Sequence, residues 1–322
     1  MKKISIRALL GGVALAATIS GSAFATECIA PADAGGGWDF TCRQIGKLLY
    51  DLKLVDAPVQ VTNMAGAGGG VAYTYVVSDR GTDADLIVAA SSATTTRLAQ
   101  NAYAGMAADQ VRWVGAIGGD PGVIVVAKDS PYQTLGDLVE AIKADPSKVT
   151  FAGGSAAGGF DHLKPLMVLK AAGFSDFAKV KYIGLDGGAE AITQTIGGFT
   201  QAMTGDMSEI SGFIKSGDVR ALAVLSAEPV PGFEEIPTAK SQGFDVEVVN
   251  WRGLYVPKDI SDEQFNAWAE KLQTVADSAE WKQIMADNGL APFTKVGTEF
   301  QGWVDEVVAE TNALSKEIGI IQ

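Results

Sequence analysis

Two lobes of α/β structure, each Rossmann-like, with a ligand cleft between them, are what this sequence predicts. Three observations carry the prediction. About 297 residues remain once an N-terminal export signal is set aside, more than one hydrophobic core usually organises. Short apolar runs alternate with longer amphipathic ones, as parallel strands covered by helices require. Strand-like residues followed by Lys-Asp and Pro signals occur near Val126 to Pro131 and again near Asn250 to Pro257, so the chain is expected to cross between lobes twice. The resulting assignment is 26–127 plus 251–322 for the first lobe and 128–250 for the second.

The signal is expected over 1–25. Lys2, Lys3 and Arg7 precede an apolar run from Ala8 to Ile19 that closes on Ala23-Phe24-Ala25, with cleavage after Ala25. The run is shorter than the roughly 20 residues that span a hydrocarbon core. Glu27 ahead of Cys28 argues against a lipid anchor. Strands are then expected at 27–31, 58–63, 85–90, 111–117, 122–128, 149–152, 179–184, 200–204, 219–225 and 252–256. Helices are expected at 69–78, 134–144, 159–173, 187–197 and 208–215, and Ile45, Leu48, Leu49 and Leu52 recur at helical spacing after the first strand. Ser261 with Gln264, and Thr298 with Gln301, are spaced as capping boxes before C-terminal helices whose apolar stripes include Phe265, Trp268, Leu272, Phe300 and Trp303. No internal repeat is evident.

Without Lys2, Lys3 and Arg7 the chain keeps 22 basic against 38 acidic residues, a formal charge near −16. Nucleic acid and anionic lipid are therefore excluded as partners, because both require a basic surface. An anion can still be held locally by hydrogen-bond donors and helix dipoles. Cys28 and Cys42, the only cysteines, predict one disulfide in an exported chain, the alternative being a pair of buried thiols. Two cysteines and a single histidine offer no zinc site, and no cofactor is expected.

Small residues concentrate just before expected helices: Ala34-Gly35-Gly36-Gly37 ahead of Trp38 and Asp39, Gly66 to Gly70, Gly153 to Gly159, and Asp186-Gly187-Gly188. Without Cβ atoms such loops let main-chain N–H groups approach a carboxylate at the positive end of a helix. Each could equally be a plain strand-to-helix turn. Asp39 has two readings, a cap on its own helix or a group that orients waters and loop amides. Ser91, Ser92 and Thr94 follow one strand, and Thr204 and Asp206 another, at the carboxyl ends where open α/β sheets bind ligands. Arg97 lies in the next helix, either pairing a carboxylate or facing solvent.

Enzyme readings fail on spacing. Val71 stands where a dinucleotide fingerprint needs glycine, and Gly153 to Gly159 lacks the ending of a P-loop. A hydrolase using Ser155 would have only His162 as base, seven residues away, and Ala157 replaces the last glycine of a nucleophile elbow.

The stretches Cys28 to Arg43 (CIAPADAGGGWDFTCR) and Val61 to Gly70 (VTNMAGAGGG) resemble the tripartite tricarboxylate transporter receptor family, also called Bug-type solute-binding proteins. The similarity continues through Lys181 to Ala191 and Gly217 to Val224. The resemblance implies a periplasmic, non-enzymatic, monomeric receptor with a type II-like periplasmic-binding-protein fold. It implies capture of a small organic carboxylate and delivery to a large and a small membrane subunit; the rival reading, with the same fold and ligand, is a receptor accessory to a two-component sensor kinase. It also implies that the loops matching Ala34 to Asp39 and Gly153 to Ser155 grip one carboxylate, partly through ordered waters, while the rest of the cleft selects the ligand; on that basis Ser155, Asp186, Gly187, Gly188 and Thr204 are expected to close over the remainder. The cysteine pair and Gly-Gly-Gly-Trp-Asp are similar to the branch associated with citrate and related tricarboxylates, whereas many relatives take dicarboxylates, aromatic acids or amino acids. Ile183 departs from the lysine that members often carry there.

Overall fold

The computed structural model describes residues 26–185 and 187–322; the expected signal 1–25, and Asp186 among the expected ligand contacts, lie outside the described residues. The chain opens with β1 (Glu27–Ala30), α1 (Gly37–Asp51), β2 (Gln60–Asn63), α2 (Gly70–Asp79), β3 (Leu86–Ser91) and α3 (Ser92–Ala99). A long strand, β4 (Val111–Ala127), leads into α4 (Leu135–Ala144), β5 (Thr150–Gly153), α5 (Phe160–Ala171), β6 (Lys181–Gly184), α6 (Gly188–Ile196), β7 (Ala202–Asp206), α7 (Met207–Ser216) and β8 (Val219–Val224). The return runs through β9 (Val249–Pro257), α8 (Asp262–Asp277), α9 (Ala279–Asn288), β10 (Lys295–Val296) and α10 (Gly297–Glu317).

The strands form two halves with one topology. In the first, β2, β1 and β3 lie parallel in that order, and β9 then pairs antiparallel with β3 and β4. In the second, β6, β5 and β7 are parallel, and the end of β4 pairs antiparallel with β7 and with β8. Each half thus places its first strand centrally between the second and third, so the loops leaving the three parallel strands open at one end of the sheet. Alternation along the strands shows why both faces are covered. Cys28 and Ala30 face a cluster with Ile45, Leu48, Leu49 and the α8 residues Phe265, Trp268 and Leu272, while Ile29 faces one with Tyr73, Trp113 and Phe300.

Two expected strands, 111–117 and 122–128, are one strand of 17 residues. The expected break at Gly118-Gly119-Asp120-Pro121 is instead a paired segment, because these glycines leave room for close neighbours. A Cβ at Gly119 would lie 2.7 Å from Val249 Cγ1, and one at Gly118 3.1 Å from Leu290 Cδ2. Register shifts at Trp113/Gly115 and Ala116/Gly118 bend the strand. Up to Pro121 it pairs with β9, and from Gly122 with β7 and β8, so the chain passes between sheets at Pro121 to Gly122, ahead of the expected Val126 to Pro131. The C-terminal tail, expected with the first lobe, also reaches the second: Ile318 packs on Leu163 and Leu166 of α5, and Lys170 pairs with Glu317 at 2.5 Å.

At the C-terminal helices, Ser261 Oγ accepts from Gln264 N–H and Gln264 Oε1 accepts from Ser261 N–H, as the spacing predicts. The Thr298 and Gln301 box does not form. Val296 precedes the helix, and Gln301 Oε1 accepts the N–H of Trp113 on β4 instead. Tertiary demand for a partner at a strand N–H outcompetes the local cap.

Cys28 on β1 and Cys42 on α1 are bridged, with Cα atoms 5.7 Å apart and both side chains buried. The bridge closes the segment containing the first glycine loop. Replacing both cysteines by alanine should lower unfolding free energy by about 3 kcal/mol on the chain-entropy argument for a loop of this length; urea denaturation measures it, and a wild-type midpoint in the double variant would contradict the account.

Candidate functional site

Six strand-to-helix junctions, three from each half, meet at one cavity of about 400 Å³, a size suited to a small molecule. The first half contributes Gly36, Gly37 and Trp38, then Ala65 to Gly68, then Ser91 and Arg97. The second contributes Gly154 to Ala156, then Leu185 and Gly187, then Asp206 and Glu209, while Asn250 and Arg252 of β9 complete the lining.

The first junction is shaped by Asp39. Its Oδ2 accepts from Gly35 N–H at 2.9 Å and from Arg43 Nε at 2.8 Å, and its Oδ1 accepts from Asn63 Nδ2 at 2.9 Å. Burial works against its charge, but Arg43, the Gly35 amide and Asn63 together hold the carboxyl below its ordinary range. Asp39 is therefore neither the N-cap, which is Gly36, nor a cavity residue; it fixes the loop from behind. Ala34 and Gly35 face outward, away from the lining, and Gly35 adopts φ +89°. What reaches the cavity is the first turn of α1, whose leading N–H groups have no helical carbonyl behind them.

The other expected residues divide in the same way. Ser91 lines the cavity, accepting from Trp38 Nε1 at 3.0 Å, and shares a capping box with Thr94 at the start of α3. Thr94 itself is buried and off the lining. Ser92 bolts α3 to β9, its hydroxyl donating to Val249 O and accepting from Trp251 N–H. Thr204 is fully buried and donates to Asp161 O at 3.3 Å. Gly154 and Gly187 line the cavity where two loops press together: a Cβ at Gly154 would lie 2.7 Å from Gly188 N. Gly188 begins α6 behind them, and its own Cβ would lie 2.6 Å from Glu209 Oε2.

Ser155 lines the cavity, but its hydroxyl accepts from Asp161 N–H at 3.0 Å. His162 turns elsewhere, with Nδ1 accepting from Gly158 N–H at 2.9 Å and its ring stacked on Tyr182. Burial pushes its imidazole down to about 4. The two side chains thus hold separate main-chain amides, one in the first turn of α5 and one in the loop before it, and do not form a nucleophile and base.

Beneath the cavity lies an ion cluster that the spacing of the sequence did not disclose. Arg252 donates to Asp120 at 2.6 Å and to Asp206 at 3.0 Å. Lys164 donates to Asp161 at 2.7 Å and to Asp206 at 2.5 Å. Asn250 Nδ2 adds a bond to Asp206 at 2.6 Å, and Ser208 donates to Asp120 through both its N–H and its hydroxyl. Burial works against both positive charges, yet Asp120 with Asp206 holds Arg252, and Asp161 with Asp206 holds Lys164, above their ordinary ranges. For Asp120 burial prevails and its carboxyl is raised, despite Arg252. The only sequence signal was a charge inside an apolar run, as at Trp251-Arg252-Gly253-Leu254.

Glu209, on the first turn of α7, reaches across to the other half and accepts the Gly37 N–H at 3.1 Å. Burial, then the charge of Asp206, push its carboxyl up to about 8; Arg252 opposes, while Asp161 and Asp120 add to the rise. The folded protein therefore binds a proton here that the unfolded chain releases near 4.5, so this group weakens folding progressively as pH rises from 4.5 to about 8. Glu209→Gln should raise the melting temperature at pH 8 to 9 and lose that advantage below pH 4.5. Scanning calorimetry across this range checks it, and a gain confined to acid would contradict the sign.

The family model described as "Tripartite tricarboxylate transporter family receptor" matches residues 43–320. Protein BugT of Bordetella pertussis (strain Tohama I) is 25% identical over 297 residues, covering 91% of this chain and 89% of BugT. Among solved structures, the periplasmic binding protein BugD superposes with a TM-score of 0.81 at 23% identity, over 92% of this chain and 98% of BugD. MatC (Rpa3494) from Rhodopseudomonas palustris with bound malate gives 0.77 at 17%, over 90% and 98% of the two chains. R. palustris Rpa4515 with adipate gives 0.82 at 19%, over 92% and 97%.

Proposed function

The chain belongs to the tripartite tricarboxylate transporter receptor family, a family of periplasmic solute-binding receptors, and we propose that its cargo is a small organic polycarboxylate handed to the large and small membrane subunits of a tripartite transporter. The observation that carries the reading is the convergence of the α1 and α5 junctions, one from each half, on one cavity. Helix N-termini and the preceding loops offer N–H donors and positive dipole ends, which suit a carboxylate even in a strongly acidic protein. Malate and adipate in two structures of the same fold are both dicarboxylates and support a cargo with more than one carboxyl group. Citrate stands in the same chemical class, as the Cys28 to Arg43 resemblance suggests.

In this reading the first carboxylate sits against Gly36 to Trp38 and against Gly154 and Ser155. Trp38 walls the space, held by Ser91. Passage of β4 from one sheet to the other, with the return through β9, provides the hinge, and contacts that span the halves, such as Gln100 with Gly158, set the closed population. The segment 1–25 directs export and is removed after Ala25. Receptor action needs no turnover, which accords with Ser155 and His162 each being committed to a main-chain amide.

Gly36 is the position to test. Its φ of −77° is open to any residue, and a Cβ there would meet only ordinary contacts at 3.4 Å, so the fold should tolerate a side chain that intrudes on the cavity. Isothermal titration with succinate, malate, adipate and citrate should show saturable binding of at least one by the wild type. Gly36→Val should lower that affinity by about 100-fold or more, the equivalent of roughly 3 kcal/mol, while keeping the wild-type circular dichroism. Unchanged affinity in the variant would overturn the assignment of the first carboxylate.

A further inference from the structure

Arg97 is one of two cations that line the cavity, and its situation differs from that of the other. Arg252 is committed to Asp120 and Asp206 in the floor. Among the described residues no carboxylate pairs with Arg97, and its Nε is buried without a hydrogen-bond partner. A buried guanidinium donor left unpaired costs free energy, and a natural site retains one only where something else satisfies it. Arg97 projects from α3 beside the Gly66 to Gly69 loop: a Cβ at Gly68 would lie 3.6 Å from Arg97 Nε.

That loop is itself unusual. Gly66, Ala67, Gly68 and Gly69 take φ values of +131°, +51°, +61° and +95°, and alanine at +51° is held in a conformation that L-residues with a Cβ disfavour. Tyr103 pins it by donating to Gly68 O at 2.6 Å. Ala65 to Gly68 line the same cavity as Arg97. Strain of this kind persists where surrounding structure imposes it, and such places gather at ligand sites.

The charge distribution indicates which end of a ligand belongs here. Asp161 and Asp206 line the cavity from the second half with Lys164 and Arg252 already committed to them, so among the described residues that side has no cation left over for a second anionic group. Arg97 lies on the first half.

We propose that Arg97, set against the Ala65 to Gly68 loop, is the subsite for a second carboxylate and makes the receptor selective for dianions over their monoanionic analogues. This rests on the carboxylate-receptor reading above and adds the residue that counts the charges. Arg97 takes no part in holding the first carboxylate.

The test is isothermal titration of wild type, Arg97→Gln and Arg97→Lys with succinate, malate and adipate, each beside its monomethyl ester, and with citrate beside its dimethyl ester. For whichever acid the wild type binds, Arg97→Gln should weaken binding by about 10- to 100-fold, the range of a hydrogen bond to a charged group. The ester should bind wild type and Arg97→Gln alike, and Arg97→Lys should recover part of the loss. Equal weakening of acid and ester, or an acid affinity untouched by Arg97→Gln, overturns the subsite while leaving the receptor reading intact. A wild type that binds none of the four acids overturns both. Melting temperatures of the unliganded variants within a degree or two of wild type, on the scale expected of surface changes, separate the subsite from a role in folding.

Discussion

The floor of the cavity is an ion cluster, Arg252 with Asp120 and Asp206, Lys164 with Asp161 and Asp206, and the rest of the site is arranged around its burial. Such a group is tolerable inside a protein only if every charge is matched, because the cost of stripping water from an ion exceeds what a single imperfect pairing returns. The partners come from β4, α5, β7 and β9, so the two halves must meet in one register before the desolvation is offset. Steric consequences follow directly. A Cβ on Gly37 would lie 2.3 Å from the Arg252 guanidinium, so the first residue of α1 has to be glycine if that helix is to start above the floor.

The repeated topology explains how a cavity with donors on both sides arises. Each half arranges three parallel strands with the first in the centre, and all three strand-to-helix junctions open toward the other half. Loops that would be unremarkable surface turns alone become opposing walls when β4 runs through both sheets and the chain returns through β9. Several contacts join the halves besides the floor: Glu209 with Gly37, Gln100 Nε2 with Gly158 O at 2.7 Å, and the tail residue Ile318 with Leu163 and Leu166.

Around the cavity, roles divide between residues that face it and residues that hold those in place. Asp39 illustrates the second kind, since its carboxylate gathers Gly35, Arg43 and Asn63 behind the loop and leaves the α1 terminus exposed to the cavity. Ser92, Thr94 and Thr204 are likewise spent on backbone groups. Ser91 does both, capping α3 and anchoring the Trp38 indole. Polar residues at strand ends are thus shared between local hydrogen-bonding needs and the cavity, and only those with a lone pair or surface left over reach it.

Local chemistry was sufficient to make the alternation of strands and helices, the Cys28 to Cys42 pairing and the four glycine-rich junctions legible in the sequence. Each depends on residues near one another in the chain: hydrophobic period, turn glycines and a short covalent loop. Family resemblance carried over from the Cys28 to Arg43 and Val61 to Gly70 segments for the same reason, since both are contiguous. Long-range decisions were not legible. Whether Gly118 to Pro121 ends a strand or continues it depends on Val249 and Leu290 approaching from far along the chain, and whether Gln301 caps a helix depends on an unpaired N–H at Trp113. The destination of Arg252, Lys164 and Glu209 was hidden for a deeper reason: a buried charge is stable only with partners, and those partners stand up to 172 residues away, from Gly37 to Glu209. Sequence therefore determined what each junction could offer a ligand, and the folded halves decided which of those offers face the same space, because desolvation and pairing act between groups that only tertiary structure brings together.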